Sequence, residues 1–185
     1  MQIINEKKHL GNRLMEIFAK EDSYEFRFIG EKNNRYLFDT DGGITYEVKF
    51  VPSGYLWESN PFYADYTHEF AFFPIENNTG KNPPLDKKIP PTIALIFKHF
   101  FRENKNIVVY ICDSSDSKQA VRFRKFNTWF NFYKGVSFLK MDMNIEDKQE
   151  GTIYTSLIMR ADNPYMDKVM IEFKNIMLKA QEGDK

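Results

Sequence analysis

Six consecutive residues, Ile107-Val108-Val109-Tyr110-Ile111-Cys112, form an almost unbroken apolar run rich in β-branched side chains. Too short for a bilayer span, which needs about 20 apolar residues, such a run suits a strand covered on both faces. A covered strand is an interior strand, so the chain is expected to build a sheet around it, with packing material on either side. The other strand signals differ: they alternate. Tyr24 to Phe28 and Tyr36 to Phe38 read as two hairpin strands, and Ile44, Tyr46, Val48 and Phe50 share one face of a third strand after the turn Asp41-Gly42-Gly43. Glu69 to Ile75, Phe138 to Ile145 and Thr152 to Met159 complete about seven strands.

Helical spacing appears in four places. Leu10, Leu14, Ile17 and Phe18 suggest a short amphipathic helix lying on the sheet surface after a loose start, within residues 1–20. Pro90-Pro91 opens a stripe of Ile93, Ile96, Phe97, Phe100 and Phe101. A second long helix follows the loop Asp113 to Asp116 and runs to about Tyr133, with Gly135 where a C-terminal cap belongs. Asn163-Pro164 introduces the last, carrying Met166, Val169, Met170, Phe173, Ile176 and Met177. Hairpins before helices give the expected class: α+β, a largely antiparallel sheet of about seven strands with helices packed mainly on one face.

The 185 residues fit one domain. The Pro- and Asn-rich stretch 77–88 is an internal loop rather than a domain boundary, because neither side of it buries enough surface alone, and 181–185 reads as a disordered tail. An even balance of 26 basic and 26 acidic residues with 18 Phe and 10 Tyr excludes wholesale disorder. A single cysteine, no signal-like start and no long apolar run give a cytoplasmic expectation without membrane attachment. His9, His68 and His99 are scattered and set no zinc spacing, no glycine-rich phosphate loop appears, and no cofactor is expected.

The even balance hides an asymmetry. Residues 1–92 carry eleven basic and fourteen acidic side chains, residues 93–185 fifteen and twelve. From Ser117 to Met141 stand six basic residues, Lys118, Arg122, Arg124, Lys125, Lys134 and Lys140, with no acidic one between them. At 100° per residue, Phe123, Phe126, Phe130 and Tyr133 fall on one helix face. Lys118, Arg122 and Lys125 make an adjoining stripe that holds Trp129, and Arg124 lies on another part of the wheel. Cations beside an aromatic ring suit an anionic partner. The expected role is therefore a non-catalytic binding or interaction protein. It presents helix 118–134 to nucleic acid, a nucleotide or an acidic protein surface through Lys118, Arg122, Lys125, Trp129 and Arg124. The same spacing also fits a plain alternative in which the rings are core and the cations a solvated face.

Asp113 and Asp116 at the strand-to-helix loop support a different class, a metal-dependent phosphoryl-transfer or hydrolytic enzyme in which they hold a cation and Arg122 steadies phosphate. A simpler local account makes Asp116 an N-cap, with Gln119 three residues on as a capping-box variant. Asp39 or Asp41 with Glu47-Val48-Lys49 resembles a nuclease pattern. An exposed, salt-bridging strand face is the simpler account, and Asp41-Gly42-Gly43 is already explained as hairpin turn chemistry.

The segment CDSSDSKQAVRFRKFNTWF, Cys112 to Phe130, together with IPPTIALIFKHFF and DNPYMDKVMIEF, resembles a family of small stand-alone bacterial proteins known only as a domain of unknown function. The resemblance runs from about Tyr24 to Phe173 and is most specific at Asp113, Asp116, Gln119, Arg122, Phe126, Trp129 and Phe130. It implies a self-contained cytoplasmic bacterial domain and brings with it no activity, cofactor or partner. Oligomeric state is open at this level.

Overall fold

A computed structural model describes residues 22–57, 61–80, 83, 85–112, 116–147 and 151–183. Seven strands form one sheet: β1 (Phe26–Gly30), β2 (Arg35–Asp39), β3 (Ile44–Pro52), β4 (Thr67–Asn77), β5 (Ile107–Ile111), β6 (Phe138–Asp147) and β7 (Gly151–Arg160). Three α-helices accompany them among the described residues: α1 (Ile89–Phe100), α2 (Gln119–Tyr133) and α3 (Met166–Gly183). The protein is α+β, as its hairpin-then-helix pattern implies. The sheet order is β1-β2-β3-β4-β5-β7-β6, and every neighbouring pair is antiparallel except β4 and β5, which run parallel. That single parallel pair needs a crossover, and α1 supplies it. The loop over 77–88 thus connects two halves of one continuous sheet.

The apolar run Ile107 to Cys112 is interior, between β4 and β7. Its alternate residues feed two separate cores. Val108 joins Tyr36, Phe38, Val48, Phe50, Phe70 and Ile158 beneath α1 and α2, which contribute Ile93, Ile96, Phe100 and Phe126. Ile107 and Val109 join Leu157 and Met159 on the opposite face, under Val169 and Phe173 of α3. Two helices therefore cover one face and the third covers part of the other. The first core is largely aromatic: the rings of Phe50 and Phe100 stack at 3.8 Å, and Phe38, Tyr46 and Phe72 stack in sequence across three strands. The second uses Met141, Met143, Met166, Met170 and Met177 as adaptable filler.

Turn and cap chemistry fixes these elements. Gly43 has a left-handed φ of +74°, and Thr40 N–H donates to Ile44 O at 2.9 Å, closing the β2–β3 hairpin. Buried Asn163 accepts from Tyr165 N–H at 2.8 Å and donates to the carbonyls of Lys105 and Asn106, tying the start of α3 to the loop before β5.

Two details differ from the sequence reading, and others fall outside the described residues. The face of β3 that bears Glu47 and Lys49 lies opposite the α1 core, yet Glu47 is only 2% exposed. Its carboxylate takes Arg35 Nε at 2.5 Å and Lys49 Nζ at 2.7 Å, so the face is ion-paired as expected, but the carboxylate is buried rather than exposed. The expected tail at 181–183 is the last turn of α3, where Gln181 Nε2 donates to Asn144 O at 2.7 Å. The helix expected at Leu10 to Phe18, and residues 184 and 185, lie outside the described residues.

Candidate functional site

The basic, aromatic segment forms α2, and its first turn is organised by Asp116. The Asp116 carboxylate accepts Lys118 N–H at 3.1 Å and receives a bidentate pair from Arg122, at 2.6 and 2.7 Å. Arg122 first, then that backbone N–H, hold the carboxyl below its usual range against the opposing effect of burial. Asp116 is therefore not the N-cap. Ser117, with φ +58°, turns the chain between it and the helix, the cap position falls on Lys118, and no capping box with Gln119 forms. At the far end Lys134 N–H returns to Phe130 O at 2.8 Å, and Gly135 takes the left-handed conformation that ends the helix, φ +57°.

Six of the fifteen residues of α2 are aromatic, yet Phe126 alone among the fifteen is fully buried. Its ring meets Tyr110 at 4.5 Å, Phe70 at 5.6 Å and Phe97 at 6.0 Å. Phe123 stacks on Tyr154 at 4.8 Å. Trp129 is half-buried against the same core and has Lys125 Nζ 5.0 Å from its ring centre. It is thus a wall of the core edge, not the free stacking platform the helical wheel suggested.

The outward stripe holds Lys118, Val121, Arg124, Lys125, Thr128 and Phe132, all exposed. Arg124, which the wheel set apart, belongs to this stripe, whereas Arg122 is half-buried in its pair with Asp116. Phe132, 67% exposed, is the ring that faces outward, edge-on to Tyr133 at 4.8 Å. The structure therefore brings Lys118, Arg124 and Lys125 together with two exposed apolar side chains and sets Arg122 and Trp129 at the margin.

Lys140 leaves the positive patch altogether. It projects from β6 under α2, its side chain 6% exposed, and donates to Asn127 and Asp142. The Phe123 ring centre lies 5.1 Å from its Nζ and the Phe130 centre 5.9 Å. Burial lowers its pKa, and Asp142 opposes that shift. Asp142 also accepts Ser156 Oγ at 2.7 Å, and buried Cys112 stands at the adjoining strand end, its thiol pushed up by burial. Sequence reasoning missed this polar cluster because its members come from four elements. The available signal was the alternation Leu139-Lys140-Met141-Asp142-Met143, which places Lys140 and Asp142 on one face.

Between α1 and α2 lies an apolar groove walled by Pro90, Ile93, Phe97, Trp129 and Tyr133, with Lys98 and Lys134 on its lining as well. Asp113 lies outside the described residues, so the paired carboxylates of the enzyme reading are represented by Asp116 alone. Among the described residues no three His, Cys, Asp or Glu side chains converge as metal ligands, and no helix is long and apolar enough to cross a membrane.

Residues 85–175, from just before α1 into α3, match a family of unknown function (DUF6169). The match contains α2 with both flanking strands, and the resemblance carried by Cys112 to Phe130 is to a family of that kind. No curated protein and no solved structure matches the chain.

Proposed function

We propose that this chain, whose later half matches a family without an assigned activity, is a non-catalytic binding protein that presents the outer stripe of α2 to an acidic protein surface. One observation carries the reading: α2 has six aromatic residues, and its own fold buries only Phe126 completely. A helix used purely as core packing would hide a broad apolar stripe. Here Val121 and Phe132 face outward beside Lys118, Arg124 and Lys125, an aromatic and basic mixture suited to protein interfaces. Nucleic acid is the weaker candidate, because Trp129, the ring best suited to base stacking, is packed against the core edge.

The test is fluorescence anisotropy of the full chain with two defined probes, a labelled polyglutamate peptide and a labelled single-stranded oligonucleotide, at low and moderate salt. The proposal expects polyglutamate binding that weakens with salt, falls at least tenfold in Arg124→Glu/Lys125→Glu and falls in Phe132→Ala, with an unchanged thermal midpoint. Oligonucleotide binding that exceeds polyglutamate binding and survives Phe132→Ala would replace the protein partner with a phosphate backbone. Equal binding of the natural chain and the charge-reversed variant to both probes would overturn the reading.

A further inference from the structure

The sheet ends at β1 on one side and at β6 on the other, and the two outer edges differ. β1 has five residues and an irregular register between Phe28 and Gly30, two features that keep an edge from pairing. β6 has ten residues, holds an unbroken register with β7 and contains no proline. A lysine on an edge strand blocks the approach of another chain, but the one lysine of β6, Lys140, is turned in under α2 and buried. Among the described residues no strand lies beyond β6.

Three hydrogen bonds fix which backbone groups point outward along this edge. Cys112 N–H donates to Tyr154 O at 2.9 Å, so Tyr154 aims its groups toward β5, and Asn144, opposite it on β6, aims its own outward. Ala161 N–H donates to Ser137 O at 2.8 Å, which turns the odd-numbered residues of β6 toward β7. Gln181 Nε2 of α3 reaches Asn144 O at 2.7 Å, as an outward carbonyl permits. The N–H and C=O groups of Lys140, Asp142, Asn144 and Glu146 therefore form a row along the outer edge, with one carbonyl covered by Gln181. The flank of α3 that bears Gln181 also carries Leu178, one turn earlier and exposed. On the face of β6 beneath it, Leu139 is exposed as well.

Such a row takes an extended strand, and the side chains of β6 favour one occupant, a second β6. Two identical antiparallel strands lie about a twofold axis, and each residue faces the one equidistant from that axis. With the axis at Met143, Lys140 faces Glu146 of the second copy, Asp142 faces Asn144, and Met141 faces Ile145, so no like charges oppose each other. An axis at Asp142 sets two aspartates together, one at Asn144 sets Asp142 against Glu146, and one at Met141 leaves Glu146 and Asp147 beyond the paired length. From this edge and its charge pattern we infer that β6 pairs antiparallel with β6 of a second copy about a twofold at Met143, joining two seven-stranded sheets into one. Asp142 N–H of the second copy then replaces Gln181 at Asn144 O, and the Leu178 flanks of the two α3 helices meet above the new pair. The inference is independent of what the outer stripe of α2 binds.

Sedimentation velocity of the full chain over a concentration series tests it, with Asn144→Pro as the blocking variant. Proline at 144 deletes an N–H that the β7 ladder does not use, so the variant should keep its fold and lose the pairing. The natural chain should reach two chain masses as concentration rises, and Asn144→Pro should need at least tenfold more protein to do so. A natural chain that stays at one chain mass up to about 100 µM would overturn the inference. So would a dimer that Asn144→Pro leaves unchanged, which would put the interface elsewhere. Cross-linking keeps the test decisive if the proline variant does not fold. In a Cys112→Ser background, Met143→Cys faces its own copy at the axis and should form an interchain disulfide on mild oxidation at least tenfold faster than Tyr55→Cys, at an exposed position. Equal rates at the two positions would refute the pairing.

Discussion

Glu47→Gln removes one negative charge and keeps the volume of the side chain. In the folded protein that charge is 3% exposed and serves two cations, Arg35 at 2.5 Å and Lys49 at 2.7 Å. A charge-assisted hydrogen bond contributes about 1.5–3 kcal/mol, and breaking a fully buried pair costs about 3–5 kcal/mol. Two features reduce the cost here. The cations are 30% and 27% exposed and can rehydrate, and the amide oxygen can still accept one hydrogen bond. The expected loss is about 2 kcal/mol, which for a chain of this size lowers the thermal midpoint by about 4–8 °C. The pH dependence sharpens the test. Burial alone would raise the Glu47 carboxyl, but Lys49 and Arg35 outweigh it and hold the group below its ordinary value of 4.5. A depressed folded pKa gives stability that is complete above the unfolded value and lost as pH falls through the folded one. The gap between natural chain and variant should therefore be widest above pH 4.5 and close in more acidic solution. Calorimetric melts across that range measure it. A shift below about 1 °C at neutral pH, or one abolished by high salt, is the behaviour of an exposed pair and would refute the argument.

At Gly54 an added Cβ would stand 2.8 Å from the Ala64 carbonyl oxygen, so Gly54→Ala should lower the urea midpoint by the equivalent of about 1–3 kcal/mol; no change would show that the short helical turns Gly54–Leu56 and Ala64–Tyr66 can part. His68 is buried, and desolvation holds its imidazole below 6.5 despite the opposing Tyr66 carbonyl. As pH falls below 6.5 the unfolded chain takes up a proton that the folded one resists, so stability should decline by an increment missing from His68→Gln; an imidazole NMR midpoint at or above 6.5 would exclude this. Phe126→Ala should cost about 3–5 kcal/mol and Phe132→Ala under about 0.5 kcal/mol by denaturant melts, and comparable losses would mean that Phe132 is not an outward residue.

The fold was legible wherever one pattern sufficed. An unbroken β-branched run identified β5 as interior, alternation identified β3, and Pro90-Pro91 and Asn163-Pro164 marked the starts of α1 and α3. These signals are local, and their consequences are local too. The parallel join of β4 to β5 was not legible, because strand direction depends on where α1 carries the chain and not on any residue in either strand. Glu47 failed for a related reason. Period-two alternation assigns faces, but it cannot show that Arg35, twelve residues away and on the neighbouring strand, brings its guanidinium to the carboxylate.

The candidate site was half legible, and the missing half changes its meaning. Charge counting found the basic segment but treated its six cations as one field. The structure divides them: Lys140 goes under the helix to Asp142, Arg122 goes to Asp116, Lys134 goes to the groove between α1 and α2, and Lys118, Arg124 and Lys125 go to the surface. The division follows from what supports α2 from below. Phe126 is its one buried plug, and a lysine set near the rings of Phe123 and Phe130 lies beneath α2, where α1 buries Ile93, Ile96 and Phe100 in the aromatic core. With the helix held by that narrow contact, its outward positions carry little of the folding energy, so their charges and rings can be chosen by something other than the fold. The case for recognition by α2 rests on this burial pattern, because the net charge of the segment would be the same if all six cations merely faced water.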